Sequence, residues 1–417
     1  MPEGPQNLEG ISEAGTWLRL PLDMPRVGRR SLTSWPAYDD DEIEAVARVL
    51  RSGKVNYWTG EEGRKFEDEF AEYTGAGHAV ALANGTVALE AAFLGLGLKP
   101  GDEFVVSPRT FVASAGAGVL HGLRPVFADV DPVSQNITPE TIERALTPRT
   151  RAIVAVHLAG WPCDMDGIMR LARQYGLKVI EDCAQAHGAF YRDRHVGTLG
   201  DVGVFSFCQD KIITTGGEGG MLITDSGELA DFVWSHKDHG KSREAVYERE
   251  HPPGFRWLHD SFGTNWRLTE TQSAMGRMQL RKLEAWVLQR RFNAELLNQR
   301  FAQVPGLRVT LPSSDVYHSY YRYYVFVEPD QLADGWSRDR ILEAFEQQGI
   351  PGRSGSCPEI YLERAFDAAG LRPEQRLPVA RRLGETSIAF PVHHRLGAPE
   401  LEPMGEQVAK VMEGATK

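Results

Sequence analysis

The sequence predicts an α/β protein in which a mostly parallel sheet lies between helices, followed by a smaller α+β part. Two observations support this fold class. Between about residues 78 and 224, seven short apolar runs alternate with segments of helical periodicity, a pattern typical of a parallel sheet covered on both faces. After Pro305 the pattern changes to two strands, a helix and a final helix near residues 400–413. The chain has 417 residues, enough for a large core without disulfides.

The segment before the sheet is predicted to contain an arm and two helices. Residues 1–35 show little periodicity and several Gly and Pro, so we expect an N-terminal arm there. Asp39–Asp41 provide N-caps, an apolar face follows, and Gly53 is a suitable stop for the first helix. A second amphipathic stretch, Gly63–Tyr73, follows a turn.

The strands and helices of the sheet region follow in order. Seven apolar runs are predicted to be buried strands: Ala79–Ala83, Phe104–Ser107, Pro125–Val130, Ala152–His157, Val179–Asp182, Val202–Phe207 and Met221–Thr224. Helical segments between them include Val87–Leu96, Pro139–Leu146 and Met165–Tyr175. Because ligands of such sheets bind at the carboxyl ends of the strands, the polar residues there are the candidate site residues.

The C-terminal part is reached through a long, charged predicted helix, Arg267–Arg291. Its predicted elements are strands at Arg308–Leu311 and Tyr320–Val327 and a helix at Arg338–Gln348. We therefore expect an arm at residues 1–35, a large domain at 36–290 and a small C-terminal domain at 291–417.

Composition and charge argue against several classes of protein. A net charge of −11 disfavours nonspecific binding of nucleic acid, although an anionic small substrate needs only a local basic pocket. The four cysteines are far apart and form no Cys-x-x-Cys pair, so neither a disulfide framework nor a zinc site is expected. The chain shows no apolar run of about 20 residues and no signal peptide at its polar N-terminus. We expect a cytoplasmic protein with no metal, nucleic-acid or membrane partner.

The first candidate catalytic residue is Lys211, in FSFCQDKIITTGGEGGM (residues 205–221). A lysine that forms an imine needs burial and electrostatic neighbours that lower its pKa. The glycines at 216, 217, 219 and 220 would allow tight turns of the backbone against a flat cofactor. A lysine after a strand is more often a surface charge, so this segment alone favours catalysis only weakly.

Two acidic and amide side chains follow another predicted strand, in VIEDCAQAHG (residues 179–188). Asp182 ends the strand, where a carboxylate would keep the pyridine nitrogen of pyridoxal 5′-phosphate (PLP) protonated, as its action as an electron sink requires. Gln185 could donate a hydrogen bond to the phenolate oxygen of the ring. Asp182 is individually about as well explained as the N-cap of a helix.

Two strand-to-helix turns complete the candidate site. In ANGTVAL (residues 83–89) the backbone N–H groups and the helix dipole would bind a phosphate. In SPRTFVA (residues 107–113), Phe111 could stack on a ring. Both signals are weak alone, because such turns are common and an aromatic residue there more often belongs to the core.

Together, these segments resemble the DegT/DnrJ/StrS family of sugar aminotransferases, which are PLP enzymes of fold type I. The similar stretches cover roughly residues 50–290 and include Gly53 to Gly60, FEDEFA, NGTVALEAA, FADVD, AVHLAG, DMD, IEDCAQAHGA, VGTLGD, FSFCQDK, GGEGGM and GTNWRLTE. Separate motifs in the same order are far more specific than any one of them.

The resemblance implies a role for each candidate. Lys211 is expected to bind the cofactor as an imine and to move protons, and Asp182 to pair with the pyridinium nitrogen. The other implied cofactor contacts are Phe111 and Ala184 on the two ring faces, Gln185 at the phenolic oxygen, Gly85, Thr86 and Ser206 at the phosphate, and Asn265 at the phosphate of a neighbouring subunit. The active site would then be shared within a homodimer.

The substrate contacts are less specific. Tyr57 and Trp58 fall where the family lines its sugar pocket, but they are equally compatible with packing. The basic run HKDHGKSR (residues 236–243) could be a solvated surface or could bind a substrate diphosphate through His239 and Lys241, helped by Arg267. SGSCPEIYLERAF (residues 354–366) departs from the histidine- and proline-rich stretch of many nucleotide-sugar members, which weakens transfer of substrate identity.

The resemblance implies transfer of an amino group, usually from glutamate, to a ketone of a nucleotide-activated sugar, with pyridoxamine 5′-phosphate as the intermediate cofactor form. WPAYDDDE (residues 35–42) and the departure above leave room for a keto-cyclitol substrate. A PLP-dependent sugar dehydratase is disfavoured because those relatives replace the lysine with histidine. A non-catalytic relative is disfavoured because Lys211 and Asp182 are both present.

Overall fold

A computed structural model of the chain describes residues 34–417, so the predicted arm lies almost wholly outside the described residues. The helices are α1 (Asp40–Ser52), α2 (Glu62–Thr74), α3 (Gly85–Gly95), α4 (Ala113–Leu120), α5 (Pro139–Ala145), α6 (Met165–Tyr175), α7 (Gly227–His236), α8 (Arg243–Tyr247), α9 (Glu270–Phe301), α10 (Arg338–Gln348), α11 (Arg364–Ala368), α12 (Pro378–Thr386) and α13 (Ala398–Ala415). The strands are β1 (His78–Leu82), β2 (Glu103–Val106), β3 (Arg124–Phe127), β4 (Thr150–Val156), β5 (Lys178–Asp182), β6 (Phe190–Tyr191), β7 (Arg194–His195), β8 (Val202–Ser206), β9 (Gly220–Thr224), β10 (Leu307–Val309), β11 (Val316–Tyr317), β12 (Tyr323–Val327) and β13 (Ser387–Phe390).

The seven predicted central strands form one seven-stranded sheet in the order β1-β9-β8-β5-β4-β2-β3. β9 runs antiparallel to both of its neighbours, and the remaining pairs are parallel. Alternate residues of each strand enter two separate apolar clusters, as Val105 and Phe104 of β2 do. The sheet is therefore covered on both faces, and the predicted fold class is confirmed.

The long predicted helix is α9, which begins later and ends later than the sequence indicated. Thr269 caps it, and a capping box with Gln272 fixes its start at Glu270. It continues to Phe301 because its last turns bury Leu297 and Phe301 in the C-terminal core. Among residues 34–417, neither this charged helix nor any other is long and apolar enough to cross a bilayer.

The C-terminal part contains a three-stranded antiparallel sheet in the order β10-β12-β13. α10 occupies its predicted range, whereas β12 begins at Tyr323, three residues after the predicted start. Strand β13 was not predicted, because four residues directly after a helix show too little alternation to stand out. The proposed boundary at residue 290 falls within α9, and the division into two domains stays a prediction.

Candidate active site

One cavity of about 910 Å³ opens where β4, β5 and β8 end and where α3 and α4 begin. Of the nine predicted cofactor contacts, eight line this cavity: Gly85, Thr86, Phe111, Asp182, Ala184, Gln185, Ser206 and Lys211. The ninth, Asn265, is exposed and lies outside the cavity wall. The structure thus brings together residues that are up to 126 positions apart in the sequence.

Lys211 lies in the loop after β8 with its side chain largely buried. Its Nζ is 3.2 Å from Oδ1 of Asp210, and the side chain is 16% exposed. The same Nζ lies 5.1 Å from the centre of the Tyr321 ring, and Tyr321 donates a hydrogen bond to Asp210. The loop is fixed from outside by Trp35, whose Nε1 donates to the backbone oxygen of Lys211 at 2.9 Å.

The pKa of Lys211 differs from the expectation of a lowered value. Burial alone lowers it, but attraction to Tyr321 and Asp210 outweighs burial and raises the pKa above the ordinary lysine value. The expected burial is present, but the expected pKa-lowering neighbours are not, because an anionic group precedes the lysine directly. The Lys211 amine is therefore protonated at neutral pH.

Asp182 ends β5 with its carboxylate in the cavity and only 4% of its surface exposed. Oδ2 accepts a hydrogen bond from Oγ of Ser114 at 2.7 Å, and Oδ1 accepts one from the backbone N–H of Ala184 at 3.1 Å. Both carboxylate oxygens are thus oriented, and each retains a lone pair for a further donor.

The strand that carries Asp182 is held from its other face by Glu181. This buried carboxylate accepts hydrogen bonds from three backbone N–H groups of the loop at residues 197–200 and from Nε2 of His157 at 3.0 Å. Since Nδ1 of His157 accepts from the Cys163 backbone, Nε2 carries the proton. These donors lower the pKa of Glu181 despite burial, which by itself raises it. The register of Asp182 is therefore fixed by a satisfied buried network.

The turn between β1 and α3 provides a site for an anion. Asn84 caps α3 by accepting from the Val87 backbone at 3.0 Å, which leaves the first backbone N–H groups of the helix without an intrahelical partner. Gly85 approaches Ser206 so closely that a Cβ on it would lie 2.7 Å from the serine Cβ. The N-terminus of α3 and the Ser206 hydroxyl therefore face the same small space, as phosphate binding requires.

Gln185 and Phe111 each present a free group to the cavity. Oε1 of Gln185 accepts from the Ala159 backbone at 2.8 Å, so its NH₂ group is the part left to donate to a ligand. Phe111 lines the cavity with 66% of its surface exposed, an unusual state for a large aromatic residue in the core. Exposure of this ring inside a cavity favours the stacking interpretation over the core interpretation.

The four glycines after Lys211 differ from the expectation that they face a cofactor, because none of them lines the cavity. Gly216 and Gly217 have positive φ, at 84° and 130°, and form the turn before β9. A Cβ on Gly220 would lie 2.4 Å from the backbone oxygen of Asn84. The glycines therefore shape the loop and let β9 approach the turn that begins α3.

Three of the predicted substrate contacts converge on Asp238 of the same chain. Trp58 Nε1 and the Arg267 guanidinium both donate to Asp238, and Lys241 Nζ lies 3.1 Å from its Oδ1. Lys241 also lies 4.2 Å from the centre of the Trp58 ring. Asp238 is buried, so within one chain these residues form a closed charge cluster and do not line the cavity of Lys211.

Tyr57 and His239 also lie outside that cavity within the described chain. Tyr57 is 3% exposed, donates to Glu67 at 2.8 Å and borders a smaller cavity of about 260 Å³, so packing and hydrogen bonding account for it. His239 is exposed and has a φ of 61°. For Tyr57, Trp58, His239, Lys241 and Arg267, a role in substrate binding stays a prediction.

Several residues of the cavity wall were not predicted from the sequence. They are Ser114, Asp210, Tyr321, Arg322 and Arg353. Asp210 adjoins the predicted lysine and could have been noticed as its nearest charge. Tyr321, Arg322 and Arg353 come from the C-terminal part, where the tyrosine-rich segment Tyr320–Val327 was predicted only as a strand.

The fold and the cavity define a class of protein: an α/β protein in which a buried lysine, a carboxylate and a helix N-terminus meet at the carboxyl edge of a mostly parallel sheet. Residues 36–409 match the DegT/DnrJ/EryC1/StrS aminotransferase family, and the chain belongs to this family. It is an aminotransferase.

Individual relatives agree with the family assignment. The chain is 51% identical to an aminotransferase from Psychrobacter cryohalolentis of known structure, with a TM-score of 0.88 over 92% of this chain and 98% of that one. It is 34% identical to the dTDP-3-amino-3,4,6-trideoxy-alpha-D-glucose transaminase of Streptomyces venezuelae over 91% of this chain and 94% of that protein.

Aminotransferases of this family depend on PLP. A more distant structure, the E. coli GDP-4-keto-6-deoxy-D-mannose-3-dehydratase with bound hydrated PLP, is 25% identical, with a TM-score of 0.80 over 91% of this chain and all of that one. The residues of this chain fit the cofactor. Because Gly85 has no side chain, the start of α3 can lie close to Ser206, where the two can bind a phosphate together. Asp182 presents two oriented carboxylate oxygens, and Lys211 supplies the amine.

Proposed function

We propose that this enzyme acts in the cytoplasm and transfers an amino group from an amino acid to the ketone of a nucleotide-activated sugar. Glutamate is the proposed amino donor. The observation that supports the chemistry is the cavity in which Lys211, Asp182 and the N-terminus of α3 meet. The sugar class rests on the family and on relatives such as the dTDP-aminosugar transaminase.

The cofactor, when bound, supplies the electron sink that stabilises negative charge on the carbon that gains or loses the amino group. The residues of the chain direct that chemistry. Asp182, oriented by Ser114 and Ala184, would hold a proton on the pyridine nitrogen. Lys211 would move protons at the reacting carbon, and Asp210 beside it would stabilise its charged form between transfers.

The proposed enzyme is a homodimer with shared sites, Asn265 of one chain lying beside the cofactor phosphate of the other. Support comes from the exposed aromatic side chains that precede Asn265 in the same segment: Phe255 is 74%, Trp257 77% and Phe262 100% exposed. Exposed aromatic clusters of this kind are typical of interaction surfaces. An obligate interface of this type commonly buries more than about 2,000 Å².

The test of the sugar proposal is a substrate panel. Purified enzyme with PLP is incubated with L-glutamate and with a series of keto-sugar nucleotides and keto-cyclitols, and aminated products are identified by mass spectrometry. Amination of at least one keto-sugar nucleotide, with little reaction of the cyclitols, is the expected result. Amination of cyclitols alone, or deoxygenation of the sugar without net amination, would replace the proposal by the cyclitol or dehydratase alternative.

A further inference from the structure

A group of arginines forms the C-terminal wall of the active-site cavity. Arg322 and Arg353 line the cavity directly, and Arg109 lies just behind it, fully buried. This concentration of positive charge is notable in a chain whose net charge is −11. The carboxylates of Asp182, Asp210 and Glu218 also line the cavity, so an anion is attracted to this wall and not to the cavity as a whole.

The side chain of Arg353 is uncommitted although its backbone is fixed. Its backbone N–H and C=O bond to Ala389 at 3.0 and 2.7 Å. The following residues are held as well, because Ser387 donates to the Ser354 oxygen at 2.9 Å and Ser356 N–H donates to the Tyr324 hydroxyl at 2.8 Å. Its guanidinium makes no hydrogen bond or ion pair with any residue between 34 and 417.

Arg322 lines the same cavity as Arg353. Ala389 of β13 pairs with Tyr324 on one side and with Arg353 on the other, and directly paired residues share a face. Arg322 lies in the bend just before β12, next to Tyr321, and both side chains line the cavity. Ala389 also lines the cavity, and its small side chain leaves the wall open beside Arg353.

Arg109 adds a buried charge that no carboxylate neutralises. Its Nε donates to Gln135 at 2.9 Å and its NH2 donates to Ser387 at 3.0 Å, both neutral partners. The other terminal nitrogen has no hydrogen-bond partner among the described residues. Because Ser387 also holds Ser354, this charge lies directly behind the segment that presents Arg353.

The place of this wall next to Lys211 indicates which anion it binds. Arg322 NH2 is 3.6 Å from Oδ2 of Asp210, and Oδ1 of the same carboxylate is 3.2 Å from the Lys211 amine. In an α-amino acid the carboxylate is bonded to the very carbon that carries the amino group. The diphosphate of an activated sugar is separated from a keto carbon by the glycosidic oxygen and at least one ring carbon.

We propose that Arg353, with Arg322, binds the α-carboxylate of the amino-acid donor and of the 2-oxo acid it becomes. The guanidinium fork matches a carboxylate with two parallel hydrogen bonds. Lys241 and Arg267, the cations expected to bind substrate, are paired with Asp238 and do not line the cavity of Lys211. The proposal rests on the proposed function only in that the amino group comes from an α-amino acid.

The donor half-reaction tests this subsite without any sugar. Holoenzyme is mixed with L-glutamate, L-glutamine, L-aspartate or L-alanine, and conversion of the cofactor to its pyridoxamine form is followed by absorbance. For the fastest donor, Arg353→Gln should lower the second-order rate constant of the half-reaction (the maximal rate constant divided by the apparent Kd) by about 10- to 100-fold. This is the size of effect expected when charge-assisted hydrogen bonds to the carboxylate are lost. Arg353→Lys, which keeps the charge but not the fork, should fall in between.

A donor whose α-carboxylate is replaced by an amide provides the internal control. Wild-type enzyme should react with this amide donor about as slowly as Arg353→Gln reacts with the intact amino acid. The Arg353→Gln substitution should not reduce the rate of the amide reaction any further. Arg382→Gln, an exposed arginine outside the cavity wall, should behave as wild type. Circular dichroism and the absorbance of the bound cofactor confirm that each variant is folded and loaded.

The outcomes separate the possible ligands. An unchanged donor half-reaction in Arg353→Gln would overturn the proposal, and so would an equal loss with the amide donor. If only the reaction of the pyridoxamine form with a keto-sugar nucleotide is slowed, the wall binds the sugar diphosphate and the proposal is wrong. A wild-type enzyme that reacts with amino acids but aminates no sugar would refute the sugar assignment and leave this subsite standing.

Discussion

Lys211 and Asp210 are neighbours in sequence whose side chains form an ion pair of 3.2 Å inside the active-site cavity. The pKa of Lys211 is raised because attraction to Tyr321 and Asp210 outweighs the effect of burial. An imine forms from the neutral amine, so this pair opposes the deprotonation that imine formation requires.

Replacing Asp210 by asparagine should make Lys211 easier to deprotonate. Without the carboxylate, one of the attractions that raise the lysine pKa is gone, so a given fraction of neutral amine is reached at lower pH. Cofactor capture by the apo-protein, followed by absorbance between pH 6 and about 10, should shift to lower pH and be several-fold faster near neutrality. Asp334→Asn, an exposed carboxylate outside the cavity, is the matched control. An unchanged pH profile would assign the raised pKa to Tyr321 alone.

Lys211→Ala should fold normally yet lose the covalent link to the cofactor and essentially all transamination. No other lysine among residues 34–417 lines the cavity. The absorbance band of the imine and steady-state turnover measure the two effects. Lys410→Ala, on the exposed side of α13, should keep both. Near-normal turnover in Lys211→Ala would require a different mechanism.

Asp182→Asn should still bind PLP but react several orders of magnitude more slowly. An amide does not hold a proton on the pyridine nitrogen, so the carbanion loses its electron sink. The amide oxygen can accept from Ser114 or from the Ala184 backbone but not from both, so cofactor occupancy of the variant is measured first. Single-turnover rates with glutamate, compared at matched cofactor occupancy, provide the measurement. Wild-type rates would show that another group performs this role.

Gly85→Ala should weaken PLP binding through its phosphate. The added Cβ would lie 2.7 Å from the Ser206 Cβ, so the turn or the serine must move from the space that a phosphate needs. We expect the Kd for PLP to rise by at least about tenfold, equivalent to the loss of roughly one good hydrogen bond. In Gly116→Ala, where a Cβ would meet nothing within 4 Å, PLP should bind as in wild type. Equal affinities in the two variants would place the phosphate elsewhere.

The sheet could be predicted from the sequence because each of its strands is a buried apolar run with an independent local signal. Strand β13 and the short pair β6 and β7 could not, since two to four residues carry no periodicity of their own. The same limit applies to α9, whose end depends on burial of Leu297 and Phe301 by partners more than 20 positions away. The local hydrophobic pattern of the sequence shows where helices and strands form, whereas contacts with distant residues determine where they end.

The residues of the candidate site also fall into two groups, those that a local motif identifies and those that only the folded chain reveals. Lys211, Asp182 and the turn at Gly85 each follow a strand in a recognisable motif, and the cavity contains all three. Around His239 the sequence showed the charges but not their pairing, because Asp238 meets Lys241 and Arg267, 29 positions from it, only in the folded chain. The role of these residues in substrate binding stays a prediction. Arg353 has no motif at all, and its importance rests on a backbone bridge to Ala389 that only the folded chain reveals.

The last prediction concerns assembly and tests the shared site by complementation. Asn265 is exposed and absent from the cavity of its own chain, so a cofactor contact by this residue requires a second chain. Lys211→Ala chains and Asn265→Asp chains should each be inactive, the first without its amine and the second with a negative charge beside a phosphate. In a mixed dimer with C2 symmetry broken only by the mutations, one site combines an intact Lys211 with an intact Asn265.

Equal mixing should therefore restore about one quarter of the wild-type activity, because half of the dimers are mixed and half of their sites are intact. Subunit exchange is verified with two affinity tags, and dimer mass by light scattering. As a control, Lys211→Ala mixed with Asp182→Asn should recover little activity, since both residues belong to one chain's cavity and no mixed site contains both. No recovery after verified exchange, or a fully active monomer, would refute the shared site and return Asn265 to a role within its own loop.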